Sequence, residues 1–259
     1  MLIDGKKIAA DILSNVNIRA KQLSSPPRLA AILVESPDNS PSVFLKLKKS
    51  AAEKAGIDFR LYKFPEDIKT KDLRQKINSI ASQSVVDGIL VQLLLPEHID
   101  SQVVLNAIPL AKDVDVISQA GQGAFFVNRS KILPPTVNAL KIILERHDII
   151  LRGKVCAVFG YGRLVGKPVS HWLTSQGATV LIINEYTVNP ARFSREADLI
   201  ISGAGQLNLI KSDMVKDNAV IIDFGYNQID GQPQGDVDFK DVSPKTVSLC
   251  VGIIVPIPT

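Results

Sequence analysis

The chain has 259 residues, 46% of them hydrophobic and 22% charged, enough for one large or two ordinary α/β domains with real cores. Its net charge of +4 comes from scattered Lys and Arg without an aromatic-interleaved basic stripe, which argues against nucleic acid and only weakly for anionic ligands. Charge within the first six residues and the lack of a membrane-length apolar run leave neither a secretory leader nor a membrane segment to expect, so a reducing, cytoplasmic setting is the default.

The elements alternate along the chain. Ile8, Ile12, Leu13 and Val16 recur at helical spacing over residues 7–23, and the SSPP that follows ends the helix ahead of the strand RLAAILV. After a polar loop, Ser42 stands where an N-cap belongs, opening a helix with four lysines in thirteen residues that ends at Gly56. Phe44 and Lys48 lie four apart on it, so an aromatic ring and an ammonium share one face. Composition alone reads that face equally well as a solvated basic surface.

DFRLYKF follows as a strand, and Thr70 opens a helix with Leu73, Ile77 and Ile80 on one side. DGILVQLLLP is then the continuous apolar run of a strand buried on both faces. This β/α/β/α/β succession predicts a mostly parallel sheet with right-handed crossovers. A short helix DSQVVLNAI follows, and PLAKDVDVISQAGQGAFF reads as an irregular segment draped over a site. LPPT marks a domain junction, after which Thr136 is expected to cap TVNALKIILERHDI, a helix with Leu140, Ile143 and Leu144 inward that could bridge two domains.

The second half is a plainer β/α unit. KVCAVF, the turn GYGRLVG, the helix KPVSHWLTSQG and the strand TVLII form a dinucleotide-binding arrangement. Gly160, Gly162 and Gly166 give G-x-G-x-x-x-G, one residue longer than the usual fingerprint, and their place between strand and helix gives the spacing its meaning. Such glycines let backbone N–H groups approach a pyrophosphate at a helix N-terminus. Glu185, at the end of the next strand, would accept hydrogen bonds from ribose hydroxyls and repel a 2′-phosphate, which favours NAD over NADP; Arg163 and Lys167 pull the other way. The strands ADLIISG, NAVIID and TVSLCV complete the sheet. ISGAGQ, with Ala204, and IDFGYN, with Tyr226, put small residues at strand C-terminal ends, where open sheets bind ligands.

Cys156 and Cys250 lie in apolar strands without a CxxC partner, and read as buried thiols. His98, His147 and His171 share no metal spacing and are taken as surface or packing residues, so no metal is expected.

IDGKKIA, SVFLKLKKSAAEKAGI, DGILVQLLLP, KDVD, GYGRLVGKP, IDFGYN and GDVDF stand in the order and spacing of the methylenetetrahydrofolate dehydrogenase/cyclohydrolase family, which the chain resembles over essentially its whole length. The resemblance implies an N-terminal folate-binding catalytic α/β domain (residues 1–135), a C-terminal Rossmann-type NAD(P)-binding domain (136–259), and a homodimer. It implies oxidation of 5,10-methylenetetrahydrofolate with NAD(P)+ and hydrolysis of the product to 10-formyltetrahydrofolate. By the same resemblance the catalytic lysine falls on Lys48, its supporting glutamine on Gln92 and the pterin-binding aspartate on Asp115, with Phe44 as the pterin's stacking surface.

The departures from the family are specific. Phe44 replaces a tyrosine, Leu94 a proline and Val116 a glycine. The arginine and serine that serve NADP fall on Tyr161 and Gly162, and a further serine on Glu185. Where the family has PGGVGPMT the chain reads VGIIVPIPT, stopping at Thr259 without the long helix that follows. Of that loop Gly252 and Thr259 remain, while Ile253 and Ile254 are expected to crowd it. A truncated or divergent form with a closed pocket is one reading of this end, and a non-catalytic or single-activity relative that binds nucleotide or folate, or acts as a dimer scaffold, is the alternative that these departures leave open.

Overall fold

A computed structural model describes residues 2–35, 43–229, 232–245 and 248–251. Ser42, Gly252, Ile253, Ile254 and Thr259 lie outside the described residues, as does the side chain of Phe44. The chain divides into two compact units, one of residues 9–135 and one of residues 136–251 with residues 2–8.

The first unit takes most of α1 (Gly5–Ala20), then β1 (Arg28–Val34), α2 (Val43–Lys54), β2 (Asp58–Phe64), α3 (Thr70–Ala81), β3 (Gly88–Val91), α4 (Ser101–Leu105) and α5 (Gln119–Phe126). Its three strands are parallel in the order β2-β1-β3. β1 is apolar throughout because both its faces are covered. Leu29, Ala31 and Leu33 pack with Leu45 of α2, and Ala30, Ile32 and Val34 pack with Leu73 and Ile77 of α3. α1 begins and ends a little earlier than its pattern predicts. At the end of α2, Gly56 takes φ +76°, the left-handed conformation of a helix-terminating glycine.

The stretch read as irregular between Pro109 and Phe126 contains a regular helix. Ser118 Oγ accepts from the Gly121 N–H at 3.0 Å and starts α5, and the ring of Phe125 is buried beneath it. The two glycines hid this helix, because cap and burial together outweigh their poor propensity. Gly121 is required there for space: a side chain would meet Asp113 Oδ2 at 2.5 Å.

The second unit comprises α6 (Pro135–Arg146), β4 (Val155–Phe159), α7 (Gly166–Ser175), β5 (Thr179–Ile183), α8 (Pro190–Ser194), β6 (Leu199–Ser202), β7 (Val220–Asp223), β8 (Asn227–Ile229), β9 (Gln232–Gln234), α9 (Phe239–Val242) and β10 (Ser248–Val251). Thr136 does not cap α6. The helix starts at Pro135, whose fixed φ suits a first position, and the Thr136 hydroxyl donates to the Leu164 carbonyl at 2.6 Å. Leu140, Ile143 and Leu144 are buried as their spacing predicts. Five parallel strands run β10-β7-β6-β4-β5, and the β8–β9 hairpin, too short and polar to read in the sequence, is appended after β7. The chain leaves β4 for β5 on one side and returns to β6 on the other. The strand order therefore reverses at the C-terminal end of β4, where the glycine turn begins.

Two substitutions near α5 should act in opposite directions. Ser118→Ala removes the cap and should cost about 1 kcal/mol. Gly123→Ala, whose new methyl meets nothing within 4 Å, should gain up to about 1 kcal/mol. Urea unfolding of both variants measures each sign.

Candidate active site

In the first unit, Lys48 projects from the middle of α2 and its Nζ lies 3.9 Å from Asp115 Oδ2. Both side chains are largely covered, 17% and 14% exposed, so the pair sits at the edge of solvent. The separation is longer than a hydrogen bond, which leaves the pair loose. Lys48 also joins Ala52, Leu90 and Val114 in lining an apolar cavity of about 170 Å³.

Asp115 reaches this place because the segment before it runs beside β3, with Asp113 bridged in parallel to Ile89. The two acids of KDVD have separate jobs. Asp113 accepts from the N–H groups of Ile117 and Ser118 at 3.2 and 2.9 Å and so folds the turn, while Asp115 faces the lysine. Burial pushes the Asp115 carboxyl above the usual carboxylate range; the Lys48 ammonium draws it down, and the charge of Asp113 adds to the rise.

Gln92 is buried at the end of β3, but it does not hold the lysine as expected. Its Nε2 donates to the Leu93 carbonyl at 2.6 Å, and among the described residues its buried Oε1 has no hydrogen-bond partner. An acceptor left open in a buried place can take a further donor. Val116 takes φ +54°, a left-handed backbone that glycine adopts without strain.

In the second unit, the three glycines of the turn do different things. Gly160 takes φ +88°, and a side chain there would meet the Gly203 carbonyl oxygen at 2.9 Å. A Cβ on Gly166 would collide with the Gly160 carbonyl. Gly162 has nothing within 4 Å, so its position is open space beside the turn. No side chain caps α7, whose N-terminal amides follow the turn. This cradle fits a dinucleotide: the backbone is bare where a phosphate would approach, and the helix end is favourable to negative charge.

Around the turn, Tyr161 is half exposed with Lys167 Nζ 5.6 Å from its ring centre, and Arg163 is exposed. Glu185 is exposed two residues beyond β5, in a turn held by Asn184, whose Oδ1 accepts from the Tyr186 N–H at 3.0 Å. Ala204 follows β6 and packs its Cα against Gly160; Tyr226, half-buried, follows β7. Sequence reasoning missed the carboxylate beneath this loop. Asp236, fully buried, accepts from the backbone N–H groups of Ala204, Gly205 and Gln206. The glycine directly before it in GDVDF was the available signal.

Cys156 is buried, and burial with the nearby Asp198 charge pushes its thiol up to about 12, which makes it inert. The side chain of Cys250 lies outside the described residues. Among the described residues no group of three His, Cys, Asp or Glu could hold a metal, and no helix is long and apolar enough to cross a membrane.

Comparison with known proteins agrees with both halves of this geometry. The pattern of the tetrahydrofolate dehydrogenase/cyclohydrolase catalytic domain matches residues 3–115, and that of the family's NAD(P)-binding domain matches residues 134–258. The bifunctional protein FolD of a Hydrogenobaculum species is 36% identical over 259 residues, covering 99% of this chain and 91% of that protein. The crystal structure of the bifunctional FolD methylenetetrahydrofolate dehydrogenase/cyclohydrolase of Campylobacter jejuni is similar with a TM-score of 0.92 at 34% identity, covering 97% of this chain and 90% of that one. The Trypanosoma brucei FolD, solved with NADP and an inhibitor, has a TM-score of 0.90 at 25% identity over 96% of this chain and 89% of that one. With both domain patterns matched in order along one chain, the protein belongs to the tetrahydrofolate dehydrogenase/cyclohydrolase family.

Proposed function

We propose that the chain divides two linked reactions between its units, residues 1–135 binding folate and carrying the proton chemistry and residues 136–259 binding NAD(P)+. The enzyme oxidises 5,10-methylenetetrahydrofolate to the 5,10-methenyl cation and hydrolyses that cation to 10-formyltetrahydrofolate. The observation that carries the residue assignment is the loose, largely covered Lys48–Asp115 pair. A structural ion pair would be expected to close to hydrogen-bond distance; this one leaves both groups able to take other partners.

Asp115 accepts two parallel hydrogen bonds from the ring N–H and amino group of the pterin, with Phe44 as the stacking surface. Fixing the ring in this way orients the one-carbon bridge for reaction. The nicotinamide, when bound, supplies the hydride acceptor. In the hydrolytic step water bonds to the methenyl carbon, Lys48 takes a proton from it, and the carbon–N5 bond breaks as N5 gains a proton. The second water proton leaves as the formyl carbonyl forms. When the pterin engages Asp115, that carboxylate loosens its hold on Lys48, so substrate binding frees the group that moves the protons. Gln92 Oε1 is an acceptor for the ammonium that Lys48 becomes once it has taken that proton.

For the cofactor we infer a preference for NAD. Glu185 is exposed where ribose hydroxyls would lie, and Tyr161 and Gly162 stand where the family carries its NADP-serving arginine and serine. Gly160, Gly166 and Ala204 shape the cradle, and Arg163, Gly162 and Tyr226 border it. A cytoplasmic homodimer completes this reading. Ile182, Tyr186 and Val188, exposed on and just beyond the edge strand β5, offer apolar surface for such pairing.

The direct test supplies methylenetetrahydrofolate with NAD+ or NADP+ and follows reduced nicotinamide and methenyl absorbance together. Turnover is expected, faster with NAD+; silence with both cofactors would overturn the reading. Lys48→Met should abolish hydrolysis of added methenyltetrahydrofolate, and unchanged hydrolysis would reduce Lys48 to a surface charge.

Asp115 adds a pH dependence. Its carboxyl is raised above the ordinary 3.8, so on acidification the charged form is lost earlier than from a free aspartate. The folate KM should therefore rise as pH falls towards that raised value, and Asp115→Asn should show a high KM without this acid limb. The triple change Tyr161→Arg, Gly162→Ser and Glu185→Ser should raise kcat/KM for NADP+ relative to NAD+ by about tenfold or more, because the new guanidinium pairs with the 2′-phosphate and the carboxylate that repels it is removed.

A further inference from the structure

The loop after β6 is held by a carboxylate that the reaction scheme does not use. Asp236 Oδ2 accepts from the Ser202 hydroxyl at 2.7 Å, the Ala204 N–H at 2.9 Å and the Gly205 N–H at 3.2 Å. Its Oδ1 accepts from the Gln206 N–H at 2.8 Å and from Asn227 Nδ2 at 3.2 Å. Five donors thus converge on one fully buried side chain, three of them consecutive backbone amides. A carboxylate satisfied this way fixes the direction of each peptide that donates to it.

The fixed loop is one wall of the glycine turn. A side chain on Gly160 would meet the Gly203 carbonyl oxygen and the Ala204 Cα at 2.9 and 3.1 Å, and one on Gly203 would meet Val165 Cγ1 at 2.6 Å. The Gly203 N–H also donates to the Phe159 carbonyl at 3.0 Å. The two segments are therefore in close contact, and a rotation of any peptide from Gly203 to Gln206 would change the space beside Gly160.

Asp236 is itself held from the next strand. The Val237 N–H donates to Asp223 Oδ2 at 3.0 Å, and the Gly225 N–H to Asp223 Oδ1 at 2.7 Å. Both glycines flanking this pair are bare for reasons of space. A Cβ on Gly225 would collide with the Asp236 carboxyl, and one on Gly235 with the Asp223 carboxyl. The IDFGYN and GDVDF motifs are thus two halves of one interlocked buried structure. Burial, with the charge of Asp236, pushes the Asp223 carboxyl up to about 6, against the pull of its backbone donors.

We propose that Asp236 is the positioning residue of the cofactor site, setting the backbone of Gly203–Gln206 so that the glycine turn is shaped for the dinucleotide without Asp236 touching it. Its three backbone donors are committed to the protein, so their contribution is to shape the cradle and not to bind ligand. This rests on the assignment of the turn to NAD(P)+.

The bifunctional chemistry provides an internal control, because hydrolysis of added methenyltetrahydrofolate consumes no nicotinamide. In full-length Asp236→Asn, one acceptor oxygen becomes a donor facing other donors. The NAD+ KM of the dehydrogenase should rise about tenfold or more, as expected for losing hydrogen bonds to a charged group, while hydrolysis stays within about twofold of the parent. Ser202→Ala, which removes one donor and leaves four, should move the same KM by only a few fold. The proposal fails if Asp236→Asn keeps the parental NAD+ KM, or if hydrolysis falls in parallel with the dehydrogenase, which marks a general structural role. Should Asp236→Asn not fold, Ser202→Ala decides: an NAD+ KM equal to the parent's overturns the proposal. A parent enzyme without turnover on either cofactor refutes the functional assignment instead, so the two failures are distinguishable.

Discussion

Both units meet the same physical demand. A loop at the C-terminal end of a parallel sheet must expose side chains to a ligand while its backbone N–H groups go unpaired by any strand. Each unit answers with a buried aspartate. Asp113 takes the amides of Ile117 and Ser118, and Asp236 takes those of Ala204, Gly205 and Gln206. In each case the negative charge is satisfied by peptide dipoles, and the loop gains a defined shape without an apolar core of its own. Asp115 and Ala204 sit on the segments so held.

That arrangement explains why small residues cluster around these acids. A carboxylate reaching two or three amides needs backbone at close range, and neighbouring positions lose their side chains: Gly121 against Asp113, Gly225 against Asp236, Gly235 against Asp223. These glycines are spacers for a polar interior, unlike Gly160, which combines a left-handed backbone with close approach to Gly203. Gly162 belongs to neither kind. Among the described residues nothing lies within 4 Å of a side chain placed there, so this glycine is required neither for space nor for a left-handed turn.

What was legible in the sequence follows the same division. β1 and β3 are spelled by continuous apolar runs and α3 and α6 by apolar periodicity; Leu73, Ile77, Leu140 and Ile143 lie where the spacing puts them. The Lys48–Asp115 pair came from resemblance, because a lysine among four on one helix has no local mark that separates it from its neighbours. α5 and Asp113 were not legible, and Asp236 only through the glycine before it. Each depends on a side chain hydrogen-bonded to backbone that is close in space, and neither propensity nor period records such a bond. Thr136 misled for the opposite reason: it has the chemistry of a cap, but its hydroxyl is spent on Leu164.

Val116 shows which of these constraints is the stiffer. A β-branched residue at φ +54° is strained by roughly 1–2 kcal/mol, and glycine would remove that strain. The backbone has nonetheless kept the left-handed turn and not relaxed to an extended one. Relaxation would pull the Val116 N–H from the Asp113 carbonyl, 3.3 Å away, and the Ile117 and Ser118 N–H groups from the Asp113 carboxylate. Leaving that buried carboxylate short of donors costs more than the strain. The valine side chain, almost completely buried, also returns roughly 1.5 kcal/mol of apolar burial that a glycine could not. The turn that presents Asp115 to Lys48 is thus fixed by the acid beneath it, and the residue at its apex is free to change so long as it tolerates the shape.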